Sequence, residues 1–408
     1  MEIYLVGGAV RDQLLGQVPR ERDWVVVGAT PDDLLAKGFT QVGKDFPVFL
    51  HPKTQEEYAL ARIERKTGRG YGGFAVQADA TVTLEQDLLR RDLTINAIAQ
   101  TADGTLIDPY NGQEDINNRV LRHVSDAFVE DPLRVLRLAR FAARFHQLGF
   151  SIAEETLLLL KAIVASGELD ALVKERVWAE TDKALSTNNP EVFFETLREC
   201  NALAVIFPEV ERLWGVPQPE RWHPEIDTGV HTMMVVAAAA KLSPDKEVRF
   251  AALTHDLGKA DTPKDILPNH RGHEERSVTR LNELCDRIGV PKSFRELGVL
   301  VARYHGLVHR AFELKATTIL RLLNQTDAFR RPRRFAQFLL ACEADSRGRL
   351  GLEKRPYPQA DWLMRALKVA ANISGKDFAD QNLSGVQIAD AIRQRRIGTI
   401  KNIMTHKN

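Results

Sequence analysis

The run Leu5-Val6-Gly7-Gly8-Ala9-Val10-Arg11-Asp12 narrows the folds open to this chain more than any other. An apolar strand over Ile3–Val6 that meets two glycines can turn sharply and bring its amides close to a polyphosphate, because glycine has no Cβ to block the approach. The next acidic residues are Glu21 and Asp23, one residue apart and followed by the apolar run Trp24–Val27. In a strand, residues i and i+2 point to the same face, so this spacing predicts two carboxylates side by side. Paired carboxylates of this kind suit Mg²⁺, which activates an attacking hydroxyl and neutralises a leaving pyrophosphate.

Composition limits the alternatives. A chain of 408 residues exceeds the size at which single cores stop growing, so two to four domains are expected. With 44% apolar and 27% charged residues it reads as globular, and a net charge of +1 confines any nucleic-acid surface to local patches. Cys200, Cys285 and Cys342 are far apart without CxxC spacing, which predicts neither disulfides nor a zinc finger and suits a reducing cytoplasm. The longest apolar run, Met233–Ala240, is too short to span a bilayer, so no membrane association is expected.

The pattern predicts an α+β protein: an α/β head over 1–125, then an all-α remainder. Short helices are expected over Val10–Leu15 and Pro31–Lys37, and a hairpin over Thr94–Gln100 and Thr105–Ile107 around the Asp103-Gly104 turn. From Pro132 the apolar residues recur at three and four, as in Leu133, Leu136 and Phe141. Breaks at Asn188-Asn189-Pro190, over Pro208–Pro224 and at Arg355-Pro356-Tyr357-Pro358 suggest a helical neck over 126–210, a further helical domain over 225–330 that extends to 350 on a wider reading, and a helical tail over 351–408.

Two arginine clusters follow the acidic pair. In Asp87-Leu88-Leu89-Arg90-Arg91-Asp92 the guanidinium groups suit a triphosphate, and Asp92 suits a ribose hydroxyl. Glu130-Asp131-Pro132 opens a helix with proline at a tolerated first-turn position, and places Arg134, Arg137 and Arg140 around one side of it. Cytosine and adenine both present an amine donor beside a ring-nitrogen acceptor, so one carboxylate and one guanidinium, Asp131 and Arg134, can pair with either base.

The runs LVGGAVRD, ERDW, RRDLTINAIA and EDPLRVLRLAR together resemble the successive motifs of the class II tRNA nucleotidyltransferases, the CCA-adding enzymes and their poly(A) polymerase relatives. The resemblance is close over roughly the first 140 residues and looser through the neck. It implies a polymerase β-like head that adds C, C and A to the tRNA 3′ end from CTP and ATP without a nucleic-acid template. It further implies that Glu21 and Asp23 hold Mg²⁺, that Gly8, Arg11, Arg91, Arg137 and Arg140 bind the nucleotide, and that Asp131 and Arg134 read the base. The family more often has Asp where Glu21 stands.

The second half carries separate chemistry. His255-Asp256 falls in a run, Ala251–Lys259, that reads as helical, with His231 upstream and His273, His305 and Asp345 downstream. A mixed imidazole and carboxylate site suits a divalent transition metal such as Ni²⁺ that activates water for phosphoester hydrolysis. His270 and His309 compete with His273 and His305 on spacing, and Asp327 competes with Asp345. The His-Asp-x-Gly-Lys run resembles the HD phosphohydrolase superfamily, and its place behind such a head is similar to the bacterial multifunctional CCA proteins. This resemblance implies 2′,3′-cyclic phosphodiesterase, 2′-nucleotidase and phosphatase activities in a cytoplasmic monomer or homodimer. Basic residues Arg62, Arg65, Lys66 and Arg69, the group Arg330–Arg334 and the group Arg393–Arg396 offer a backbone track for tRNA, and the glycine-rich run 68–73 reads as a loop over the head site.

Overall fold

The computed structural model describes residues 1–19, 21–42, 48–66, 74–381 and 383–405. The chain divides into two compact units, Met1–Ala184 with Val192–Ile206, and Leu185–Glu191 with Phe207–Asn408.

The first unit is organised by a mixed sheet. Its strands are β1 (Glu2–Val6), β2 (Asp23–Val27), β3 (Thr40–Val42), β4 (Val48–Leu50) and β5 (Glu57–Leu60), followed by an outlying antiparallel pair, β6 (Ile63–Lys66) and β7 (Phe74–Gln77), and then β8 (Ala99–Gln100) and β9 (Leu106–Ile107). The order across the main sheet is β3-β4-β5-β2-β1-β8-β9. Among the described residues of that sheet only β2 and β5 run parallel; the other neighbours are antiparallel. The unbroken apolar run of β2 follows from burial on both faces. Val25 packs with Val6, Leu88 and Ala99 on one side, and Val26 packs with Leu34, Phe49 and Leu60 on the other.

The expected helices form as Gly8–Leu14 and Pro31–Ala36, the second held by a capping box between Thr30 and Asp33. The predicted hairpin is real but shorter. Thr94–Asn96 is a 3₁₀ turn rather than strand, because the Thr94 hydroxyl donates to Asp115 (2.6 Å) and the Asn96 amide donates to Asp92 (2.9 Å). Such local side-chain bonds compete with a strand ladder. The helix Leu133–Phe145 starts where Pro132 predicts, and Asp131 accepts from the Leu133 amide at its first turn.

The second unit is helical. The helices Thr228–Leu242, Lys246–Thr254, Lys292–His309, Ala316–Gln325, Pro332–Arg347 and Pro358–Ala371 share one core that includes Val235, Ala252, Val301, Leu323, Phe335, Phe338 and Leu363. Each large side chain so buried contributes about 1.5–3 kcal/mol. All three cysteines are buried and unpaired. Among the described residues no helix is long and apolar enough to cross a membrane.

Candidate active sites

In the first unit the strand register sets the chemistry. Val6, the residue before the glycine turn, pairs with Asp23, so Asp23 stands directly across the sheet from that turn. Glu21 lies just before β2 rather than inside it, so the two carboxylates are not strand neighbours as their spacing predicts. Gly7 has φ +68°, and a Cβ there would lie 2.8 Å from Arg91 Nη1. Its bareness admits a guanidinium, while Gly8 begins the helix Gly8–Leu14. The Asp23 carboxyl is shifted upward chiefly by its crowded setting, with Arg91 opposing and Glu21 reinforcing the shift. The parallel pairing also sets Glu57 beside Asp23, an acidic neighbour that only the topology reveals.

Buried carboxylates hold the arginines. Asp87, completely buried, accepts from Arg90 (2.8 Å) and Arg91 (3.1 Å), and these cations outweigh burial and keep its pKa low. Asp92 accepts from Arg137 (2.6 Å), Asn96 and the Leu93 amide, and its carboxyl is likewise held low against burial. Arg11 bonds Asp12 (2.7 Å) and Asn96, and Arg144 bonds the other oxygen of Asp12 (2.9 Å). Arg140 pairs with Glu180 and lies over the ring of Phe141, 4.3 Å from its centroid. A guanidinium fixed in this way presents its remaining N–H groups in a set direction.

Asp131 and Arg134 are held by different partners. Asp131 pairs with Arg176 (2.8 Å), while Arg134 donates to the carbonyls of Ala127 (2.9 Å) and Arg90. Arg176, far along the chain, has no motif of its own and was invisible to sequence reasoning. Of the basic groups read as an RNA track, Arg331 and Arg334 bond Glu296 (2.7 and 2.9 Å), and Arg396 donates to Ile373 O over the ring of Phe329. Arg69 and the run 68–73 lie outside the described residues, as do the side chains of Arg65 and Lys66.

In the second unit six predicted residues converge. His231 comes from the helix Thr228–Leu242, His273 begins the helix His273–Ile288, His305 comes from Lys292–His309 and Asp345 from Pro332–Arg347. His255 and Asp256 do not share a continuous helix. The helix ends at Thr254, Asp256 has φ −116° and ψ 15°, and a 3₁₀ segment follows over Leu257–Asp261. The break turns both side chains inward. Gly258 allows it, since a Cβ there would lie 2.3 Å from the Ser277 amide and 2.4 Å from the His273 carbonyl. The glycine of the His-Asp-x-Gly-Lys run is thus a close-packing requirement.

Ligand atoms of His231, His255 and Asp345 lie within 4.8 Å of one another, as do those of Asp256, His273 and His305. His255 Nε2 is 3.0 Å from Asp256 Oδ2 and links the two groups. Each of the four imidazoles donates from Nδ1 to a backbone carbonyl: His231 to Gly348 (3.0 Å), His255 to Ala252 (2.8 Å), His273 to His270 (2.7 Å) and His305 to Val301 (2.9 Å). A carbonyl can only accept, so Nδ1 carries the proton and the Nε2 lone pairs face the centre, as metal ligation requires. His255 Nε2 and Asp256 Oδ1 are buried without any hydrogen-bond partner. Donor types and these orphaned atoms together fit a divalent transition metal.

The charged groups of the cluster shift one another strongly. Burial lowers His305 to about 3, whereas in His255 and His273 the Asp256 carboxylate outweighs burial and raises the pKa. Asp256 and Asp345 are held well below the usual carboxylate range by surrounding imidazole, lysine and arginine, despite burial. The competing residues take other places. His270 bonds Thr262 and Pro217, and Asp327 faces Arg331 and Arg334. His309 bonds the second oxygen of Asp345 (2.6 Å) and the Tyr357 hydroxyl (2.8 Å). Glu225, which sequence reasoning missed, stands 2.9 Å from His231 Nδ1 and 3.0 Å from His223 Nδ1.

Residues 3–122 match the Poly A polymerase head domain family, residues 149–213 match "Probable RNA and SrmB- binding site of polymerase A", and residues 228–331 match the HD domain. A Multifunctional CCA protein of Thioalkalivibrio sulfidiphilus is 61% identical over 99% of this chain and 98% of its own length. One from Nitrosococcus oceani is 62% identical over 98% of each. Among solved structures, a Thermotoga maritima CCA-adding enzyme complexed with tRNA superposes with a TM-score of 0.65 at 19% identity, covering 98% of this chain and 87% of that one. A CCA-adding enzyme with CTP superposes with a TM-score of 0.63 at 19% identity, covering 98% and 86%. At such identities these structures speak to the fold.

Proposed function

Because the chain belongs to the multifunctional CCA protein family, we propose that its head adds and repairs the 3′-terminal CCA of tRNA, using CTP and ATP and releasing pyrophosphate. One observation carries this reading: the Val6–Asp23 register brings a carboxylate opposite the Gly7 turn, over which the Arg91 guanidinium lies. Glu21 and Asp23 are suited to hold Mg²⁺, which when bound supplies charge neutralisation at the reacting phosphates. Gly8, Arg11, Arg91, Arg137 and Arg140 bind the triphosphate. Arg134, fixed by two backbone carbonyls, and Asp131, fixed by Arg176, present a rigid edge to the base, which selects C and A. Rigidity of this kind stands in for a nucleic-acid template.

The test is direct. A tRNA transcript ending at the discriminator base is incubated with each NTP singly and together, and the products are sequenced. Ordered addition of C, C and A is expected; a long A tail would favour poly(A) polymerase activity, and no extension would overturn the reading.

The cluster in the second unit supports a second activity in the same chain. His231, His255, Asp256, His273, His305 and Asp345 hold Ni²⁺ or another transition metal, which supplies an activated water when bound. The substrates are 2′,3′-cyclic phosphates, 2′-nucleotides and simple phosphomonoesters. Lys259, 2.6 Å from Asp256, brings a cation to the phosphoryl group. Hydrolysis of a nucleoside 2′,3′-cyclic phosphate by the metal-loaded protein, lost in His255→Ala, is the expected result; retention in that variant would remove the cluster from the reaction.

A further inference from the structure

A cavity of about 400 Å³ opens beside the cluster in the second unit, lined by both charged and aromatic side chains. His273, Lys259, Glu274 and Arg349 line it, and Arg349 bonds both Asp345 (3.3 Å) and the Trp222 carbonyl (3.3 Å). Trp222, which is 56% exposed, lines it too. The Arg221 guanidinium lies over the indole, 4.8 Å from the ring centroid, so the ring is held while much of it meets solvent. Gln218, only 3% exposed, also lines the cavity. Its Oε1 accepts from Lys259 Nζ (2.5 Å), and its buried Nε2 has no hydrogen-bond partner.

These features ask for a particular ligand. An exposed indole beside a cavity gains most from a flat aromatic group, because stacking hides its apolar surface. Lysine and arginine ask for an anion, and an orphaned amide N–H asks for an acceptor. A cavity of this volume is within the range of small-molecule sites. We propose that it binds a free mononucleoside phosphate, with the base against Trp222, a ribose or phosphate oxygen on Gln218 Nε2 and the phosphate toward Lys259 and His273. The proposal rests on the cluster being a phosphoester hydrolase, and it names Trp222 and Gln218 as the residues that prefer a nucleotide to a phosphate ester without a base.

Two measurements on the full chain test it. Calorimetric binding of adenosine 2′-monophosphate to metal-free protein should weaken about tenfold or more in Trp222→Ala, and Trp222→Phe should restore most of it. With Ni²⁺ added, Trp222→Ala should raise KM for the nucleotide while leaving kcat/KM for glycerol 2-phosphate within about twofold, so the preference for a base collapses. CCA addition should be unchanged in Trp222→Ala. If wild-type protein hydrolyses neither substrate, the reading of the cluster fails. Hydrolysis of both with the same preference in Trp222→Ala and wild type overturns the base platform alone. Should Trp222 matter only for a tRNA ending in a 2′,3′-cyclic phosphate, with no mononucleotide binding, the occupant is an RNA end and the proposal is wrong.

Discussion

The two candidate sites solve the problem of holding a metal in opposite ways. In the head, Glu21 and Asp23 are exposed at a sheet end, and the buried charges, Asp87 and Asp92, serve the surrounding arginines. In the cluster five of the six candidate ligands are buried and His273 is half-buried, and each imidazole is fixed through Nδ1. An open carboxylate pair suits an ion that keeps several waters and arrives with a triphosphate, whereas a closed imidazole shell suits a resident ion. The difference predicts independence: damage at one site should leave the other working.

The largest expected effects test that independence. Asp23→Ala should lower nucleotide addition by about a thousandfold or more, the scale for losing a metal-bearing carboxylate, and leave phosphohydrolase activity intact. Asp256→Ala should do the reverse. Chelation should stop both activities, after which Mg²⁺ restores addition and Ni²⁺, Co²⁺ or Mn²⁺ restores hydrolysis. Loss of both activities in either variant would show that the residues support a shared fold instead.

A glycine in each site sharpens the contrast. In Gly258→Ala the new methyl meets backbone atoms of His273 and Ser277, which cannot move alone, so a loss of about 2–4 kcal/mol in the second unit is expected along with hydrolysis. In Gly7→Ala the near neighbour is the end of the Arg91 side chain, which can swing away. The remaining strain at φ +68° and ψ −127° costs about 1–3 kcal/mol. The expected sign there is kinetic, a raised KM for CTP and ATP with the fold retained. Thermal melts and steady-state kinetics of the two variants would separate these outcomes, and equal destabilisation would refute the distinction.

Within the head, the arginines should differ among themselves by smaller amounts. Arg134→Ala should relax discrimination among NTPs more than it weakens binding, by about tenfold or less in the ratio of kcat/KM. Arg176→Ala, by freeing Asp131, should do the same. Arg137→Ala and Arg140→Ala should raise KM for all nucleotides alike. Equal selectivity across the four variants would mean that the base is read elsewhere.

How far the sequence revealed these sites follows from how they are assembled. Gly7, Asp23, Arg91 and Asp92 come from short segments whose motifs are local, so spacing exposed them. The same local logic extends β2 back to Glu21, although the strand begins at Asp23, and makes Thr94–Asn96 strand, although side-chain bonds to Asp92 and Asp115 override that pattern. In the cluster, residue types pointed to a mixed nitrogen and oxygen site, but only packing distinguishes His273 from His270 or Asp345 from Asp327. Glu225, Arg176, Gln218 and Trp222 carry no motif. Arg176 and Gln218 meet Asp131 and Lys259, neighbours distant in the chain, which no periodicity encodes.

The smallest effect concerns acid. The Asp92 pKa is depressed in the folded head, where Arg137 and Asn96 outweigh burial. A carboxylate depressed on folding contributes stability that is fully present above its unfolded pKa, about 4, and is lost as pH falls toward the folded value. The Arg137 side chain is about a third exposed, so solvent screening limits the pair to about 1 kcal/mol. Asp92→Asn should therefore melt below wild type at pH 7, with the gap narrowing between pH 4 and pH 3, and metal should not alter it. Asp256 and Asp345 are depressed too, but there protons compete with a bound cation, so acid sensitivity of the second unit should diminish as Ni²⁺ is raised. Melting curves from pH 7 to pH 3 with and without Ni²⁺ would show whether the two units respond differently; the same metal dependence in both would mean that the head also holds a resident ion.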